Sequence, residues 1–336
     1  MKSNKKIIPK TLYRYRPLGD AKIAGREVDA ISGSYLYAPG FNQMNDPMEA
    51  LFEFPGMNDP MGVILPKDLL SQFTSVLEDT ANTARTSGVI SMSETHLNYP
   101  MWAYYGSNFA GMCLEFDTQE LTISDLPRDS YFPVPVKYNS IAPRPITLEH
   151  LAISDPMDVV TRRLIQKRAE WAHEKEWRYL AGRPGPKRYT DPALKRIYLG
   201  PNIDPHVKTT IVDAMKRRPV EIYEGLVVGY EVKFSCIQQS IPWAECDRTG
   251  AGIFNAGVAF KAKDELRSIL GNKFEVLEQK CLELAAHPNV ETVAGAHPLK
   301  DGKGVYVNAI YRLRDDAGDI VHSHVFDRNM NPLKFS

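Results

Sequence analysis

The stretch EKEWRYLAG, residues 174–182, constrains the fold of this 336-residue chain more than any other. Trp177 and Tyr179 alternate with charged neighbours, a period of two. Side chains two residues apart share one face of a strand, whereas on a helix they diverge by roughly 200°. The alternation predicts a strand with Glu174 and Glu176 on one face and Lys175 and Trp177 on the other. Trp177 would then be the buried anchor that sets the register. Two carboxylates on one face repel, which raises at least one pKa and suits proton abstraction or stabilisation of a developing cation. The same residues also read as an exposed charged turn between a helix and a strand, and the pattern alone leaves both open.

A chain of this length suggests two domains, or one large domain with an appendix. Lys plus Arg equals Asp plus Glu at 41 each, so no bulk charge draws the chain onto nucleic acid or membrane. Cys113, Cys236, Cys246 and Cys281 form no CxxC pair and have no histidines at ligand spacing, which argues against a disulfide framework or a zinc site. The basic start MKSNKKIIPKT lacks the apolar run of a signal peptide, and no segment has eighteen uninterrupted apolar residues. The expectation is a soluble cytoplasmic protein with no membrane partner and no metal.

Aromatic alternation predicts strands at 11–16 and 34–38. Between 39 and 60, PGFNQMNDPMEALFEFPGMNDP repeats NDP, whose Asn, Asp and Pro make turns by mechanism. Helical spacing follows at 66–84, a strand at 88–93, a short helix at 100–106 and a strand at 110–117. Residues 157–172 read as a helix carrying Val160, Leu164 and Trp171 on one face. Strands are predicted at 174–182, 196–201 and within 220–234, with a helix at 205–217. The pattern loosens over 236–252, which reads as a linker. Residues 253–336 then read as a small α+β module with a helix at 263–286 and a hairpin turn at DDAG, 315–318. That module carries no chemical constellation and suits interaction or regulation.

Three features could carry chemistry. LYRYRPL (12–18) sets Arg14 and Arg16 on one strand face, either solvated or gripping an anion through bidentate bonds. SMS (91–93) ends a strand with Ser91 and Ser93 on one face, able to bond a ligand or steady a carboxylate. The third is Glu174 and Glu176.

In this order, LYR, S-x-S and E-x-E resemble the arginine–serine–glutamate class of ADP-ribosyltransferases, the cholera-toxin-like group. The resemblance implies a split mixed β-sheet core with helices, and NAD as a substrate. Residue by residue, it makes Arg14 the ligand of the NAD phosphate, and it assigns Ser91 with Ser93 to the nicotinamide ribose and the glutamate. Glu176 becomes the catalytic carboxylate, and Glu174 orients or deprotonates an acceptor. Met92 departs from the threonine usual between the serines. Trp102, Tyr104 and Tyr105, in PMWAYYG, could stack on nicotinamide or the acceptor, and equally could be core. Asn45 and Asp46 could line the mouth of the cleft, and equally could simply form a turn.

A broader resemblance joins YRYRPL, FNQMNDPME, ISMSE, PMWAYYG, GMCLEFD, EKEWRYL and IYLGP over about residues 11–235. These segments are similar to a bacterial domain-of-unknown-function family, number twenty-nine seventy-one, which implies one domain and no stated activity. Together the two resemblances imply an α+β catalytic domain at 1–235, a linker at 236–252 and a small α+β domain at 253–336. The implied activity is transfer of ADP-ribose to a protein arginine or to RNA or DNA, as in a toxin or anti-phage effector restrained by an antitoxin or regulatory protein on the C-terminal module. The rivals are NAD glycohydrolysis on the same site, a non-catalytic ligand- or partner-binding module, and a metal-dependent nuclease hinted at only by His173 beside Glu174.

Overall fold

A computed structural model describes residues 7–46, 48–49, 66–121, 123, 133–141, 155–315 and 317–333. The second NDP, residues 58–60, lies outside them. In chain order the first elements are β1 (Thr11–Arg16), α1 (Ala21–Ser32), β2 (Tyr35–Ala38), α2 (Lys67–Thr86), β3 (Gly88–Ser93), α3 (Tyr99–Tyr104) and β4 (Met112–Asp117). Next come β5 (Val134–Pro135), β6 (Lys137–Asn139), α4 (Pro156–Leu164), β7 (Gln166–Arg168), β8 (Glu176–Ala181) and β9 (Gly185–Arg188). They are followed by β10 (Leu194–Leu199), α5 (Pro205–Met215), β11 (Glu221–Val228) and β12 (Glu231–Gln238). The last are α6 (Ala256–Ala259), α7 (Lys263–Leu270), α8 (Phe274–Ala286), β13 (Val290–Pro298), β14 (Gly304–Arg312) and β15 (Asp319–Asp327). The class is α+β, with mixed strand pairing.

The chain forms two compact units. Unit 1 comprises residues up to Tyr15, Leu36–Tyr104 and Asp125–Lys187; unit 2 comprises Arg16–Tyr35, Tyr105–Ser124 and Arg188 onward.

In unit 1 the strand order is β1-β3-β8-β5. β3 and β8 run antiparallel from Gly88↔Ala181 to Ser93↔Glu176, and Tyr13 pairs with Ser93. The strands form because GVISMS and EWRYLA alternate large apolar groups that both have somewhere to go: Val89, Ile90, Met92, Trp177 and Tyr179 are all buried. Gly88 is required where it stands, since a Cβ there would lie 2.5 Å from the Arg183 carbonyl oxygen.

Two expectations are corrected here. The helix expected over 157–172 stops at Leu164. The chain then enters β7, parallel to β6, and a 3₁₀ turn over Ala169–Glu174. Tertiary ion pairing overrides the helical spacing, because extended backbone aims Lys167 into a buried carboxylate cluster. Nor do Glu174 and Glu176 share a strand. Glu174 closes the 3₁₀ turn, Lys175 takes a left-handed conformation at φ 47°, and β8 begins at Glu176.

In unit 2 the order β4-β10-β11-β12 is mixed: β10 is antiparallel to β4 and parallel to β11, and β11 and β12 form a hairpin. The parallel pair needs a crossover, which α5 supplies. Asp204 caps that helix, its Oδ1 accepting from the backbone N–H groups of His206 and Val207, and Pro205 opens it. Arg16 is explained within this unit. Its guanidinium donates to both oxygens of buried Glu27, at 2.6 and 2.5 Å. Burial acts to raise the Glu27 pKa, but Arg16 and Arg26 outweigh it and hold the carboxyl below its usual range.

Also in unit 2, β13, β14 and β15 form an antiparallel sheet whose inner face carries Val293, Val305, Val307, Ala309 and Phe326 against Leu266, Leu270, Leu277 and Cys281 of α7 and α8. The helix expected over 263–286 is two helices, because Gly271 at φ 54° ends α7. A second polar centre sits in the same unit. Asp191, fully buried, accepts from Ser34 Oγ at 2.7 Å, from Arg218 at 2.8 Å and from Arg314 at 2.6 Å. Its backbone N–H donates to Asn289 Oδ1. Burial pushes the Asp191 pKa up, but the two arginines outweigh it and hold the carboxyl low.

Candidate active site

The charged centre of unit 1 is assembled from three segments. The turn at 45–49 comes first: Asp46 Oδ1 accepts the Met48 N–H, and the Asp46 carbonyl accepts the Glu49 N–H. This Asx-type turn points Glu49 inward, where it is buried. β7 supplies Lys167. The 3₁₀ turn and β8 supply Glu174, Glu176 and Arg178.

Lys167 Nζ lies 2.6 Å from Glu174 Oε2, 3.0 Å from Glu49 Oε1 and 3.4 Å from Glu176 Oε2. Arg178 donates through Nε to Glu176 Oε1 at 2.8 Å and through Nη2 to Glu176 Oε2 at 2.9 Å. The same Nη2 bonds Glu49, and Nη1 donates to the Leu164 carbonyl at 2.6 Å. Among the described residues, three carboxylates stand against two cations in a buried space. Two of the carboxyls are driven apart. Burial dominates at Glu49 and raises its pKa above the usual range, although Arg178 and Lys167 pull the other way. Burial also opposes ionisation of Glu176, but there Arg178 and Lys167 prevail, and the pKa falls. Carboxyls pushed in opposite directions in one network are a pattern of acid–base pairs.

Residues 101–179 match the family of proteins of unknown function DUF2971. This is the family that the motifs of the chain resemble, and the matched stretch holds Trp102, Lys167, Glu174, Glu176 and Arg178. No curated protein and no solved structure matches the chain.

The sheet brings the serine and glutamate motifs together. Ser93 stands opposite Glu176 and Ser91 opposite Arg178, so all four share one face. The Ser93 hydroxyl donates to the Glu174 carbonyl at 2.7 Å, fixing the 3₁₀ turn to β3. Tyr138 accepts the Glu176 N–H at 2.7 Å, and the Trp177 indole donates to Glu94 at 2.8 Å. Arg14 does not join them. Tyr13 pairs with Ser93, so alternation turns Arg14 to the other side of the strand, where its Nη2 donates to the Tyr37 carbonyl at 2.7 Å.

The remaining residues divide. Trp102 is buried, donating to the His96 carbonyl and packing edge-on to Tyr15 at 5.4 Å. Tyr104 is exposed, and Tyr105 is half-buried in unit 2. Asn45 is exposed, and Asp46 is buried as the turn former described above.

The sequence pattern does not single out Glu49, Lys167 or Arg178. Glu49 had a signal, the acid directly after NDPM, and Arg178 shares the parity of Glu174 and Glu176. Lys167 had none, because its segment reads as helix.

Proposed function

We propose that the chain cleaves the nicotinamide–ribose bond of NAD and transfers ADP-ribose to an intracellular macromolecule. The observation that carries this reading is the placement of Ser91, Ser93 and Glu176 on one face of β3 and β8, with Ser93 directly opposite Glu176. It reproduces the serine–glutamate half of the motif pattern, and the antiparallel β3–β8 pair supports an ADP-ribosyltransferase-like core.

Nicotinamide leaves as a neutral group, and the ribose it leaves develops oxocarbenium character. An ionised Glu176 supplies the compensating charge and a hydrogen-bond acceptor for a ribose hydroxyl. Ser93 holds the strand face against the turn that carries Glu174, and Ser91 lines the same face. Glu174 orients the acceptor, a protein arginine or a nucleic-acid group. Arg14 lies outside this half-site, so the diphosphate is held by other donors in the proposal. An enzyme of this kind is a hazard to its own cell, which fits a toxin or anti-phage effector under the control of an inhibitory partner docked on the module from residue 253 onward.

A second reading has its own observation. Arg178 occupies both oxygens of Glu176, and the whole cluster is buried, which is the arrangement of a structural ion network in a non-catalytic binding module. Labelled NAD incubated with lysate separates the readings. Labelled macromolecule made by wild type and lost in Glu176→Gln supports transfer. Free ADP-ribose without labelled macromolecule places water as the acceptor. Untouched NAD with a folded protein supports the non-catalytic module and ends the enzyme reading.

A further inference from the structure

The β11–β12 hairpin outruns the sheet that supports it. The pairing of β10 with β11 ends at Leu199↔Glu224, yet β11 continues to Val228 and returns through Gly229 and Tyr230 into β12. Phe234 still packs edge-on to Tyr198 of β10, with ring centroids 5.1 Å apart, so residues 226–233 form the part of the hairpin beyond the β10 register. Its composition makes water a poor solvent for it. Leu226, Val227 and Val228 are 53%, 66% and 48% exposed, and Tyr230 is fully exposed. Three consecutive apolar residues on a strand put apolar surface on both faces. Such a cluster at a projecting tip marks an interaction surface.

The charges on the arm say what covers it. Register places Lys233 opposite Leu226 and Glu231 opposite Val228, so these four share one face, and both charged side chains are exposed. The face holds one acid and one base two residues apart beside two aliphatic groups. Such a face is complementary to itself: a two-fold axis brings acid onto base and aliphatic onto aliphatic. An anionic membrane or a nucleic acid would call for an excess of Lys and Arg, whereas the one lysine here is balanced by one glutamate. A lysine within the strand also discourages edge-to-edge addition, which favours packing through the face.

We propose that the 226–233 tip is a homodimer contact. Leu226 and Val228 pack against the same residues of a second copy, and Glu231 pairs with the partner subunit's Lys233.

Sedimentation of the full chain over a concentration series tests this. The expected result is a species of twice 37.9 kDa that dissociates on dilution, as a small interface should. Leu226→Asp with Val228→Asp should give monomer with unchanged circular dichroism. Lys233→Glu should weaken the dimer by about tenfold or more by setting like charges together, and adding Glu231→Lys should restore it to within about threefold of wild type. Three results overturn the proposal: a wild-type monomer throughout the series, a dimer indifferent to the aspartates, or a charge swap that restores nothing.

Discussion

Replacing Lys167 by Met tests whether the cluster of unit 1 is held by charge balance. Lys167 Nζ touches Glu49, Glu174 and Glu176 within 3.4 Å and is buried. Among the described residues, the native cluster sets three carboxylates against two cations. The variant sets three against one, while Met keeps most of the volume, so packing loss is small. Removing one partner from a buried ion pair costs about 3–5 kcal/mol, because the other charge stays buried without compensation. The assay is urea unfolding followed by tryptophan fluorescence, with Trp177 on β8 and Trp171 beneath the lysine as reporters. The double variant Lys167→Met/Glu174→Gln has two carboxylates against one cation, the native imbalance of one, and should recover at least half of the loss. The pH dependence has a definite sign. Without the lysine the folded-state carboxyl pKa values rise above their unfolded values. Stability from such groups is present at low pH and lost as pH rises through the folded pKa. The penalty must therefore be smaller at pH 5 than at pH 8. A loss below about 1 kcal/mol at pH 7, or a penalty that grows on acidification, would refute the charge-balance reasoning.

Asp191→Asn should cost unit 2 about 3–5 kcal/mol, since Arg218 and Arg314 lose their shared carboxylate in a buried site. Amide hydrogen exchange in β10 and β14 checks it, and unchanged protection there would overturn it. Acidification should loosen the β13–β15 module. Burial depresses His287 and His324 to about 3, against an ordinary 6.5. Their contribution is complete above pH 6.5 and is lost as pH falls below it, at about 1.4 kcal/mol per pH unit for each histidine. His324→Phe should flatten that slope in a pH series of urea unfolding, and an identical slope would remove His324 from the account.

Much of the strand framework is legible because alternation is a local property. GVISMS and EKEWRYLAG announce β3 and β8, and even the partnership of serines with glutamates follows once those strands pair in register. What stays hidden depends on distant partners. Lys167 sits in a segment with helical spacing, and only the carboxylates of other segments explain why the backbone there is extended. Glu49 looks like the end of a turn motif until the turn is folded inward. The strand face that Arg14 takes is likewise hidden: LYR matches the motif, but pairing alone decides parity, and Tyr13↔Ser93 sets Arg14 on the face opposite Ser91 and Glu176.

The Asp191 centre bears on how the chain comes off the ribosome. Unit 1 has all its residues once Lys187 has emerged. Asp191 emerges directly afterwards but cannot complete its partners until Asn289 and Arg314 are made, 98 and 123 residues later. Ser34 and Arg218 must wait with it. During synthesis, a finished first unit thus travels with an unfinished second one. A chain cut short near residue 250 would keep a buried-type aspartate without one of its two arginines, a ready target for quality control.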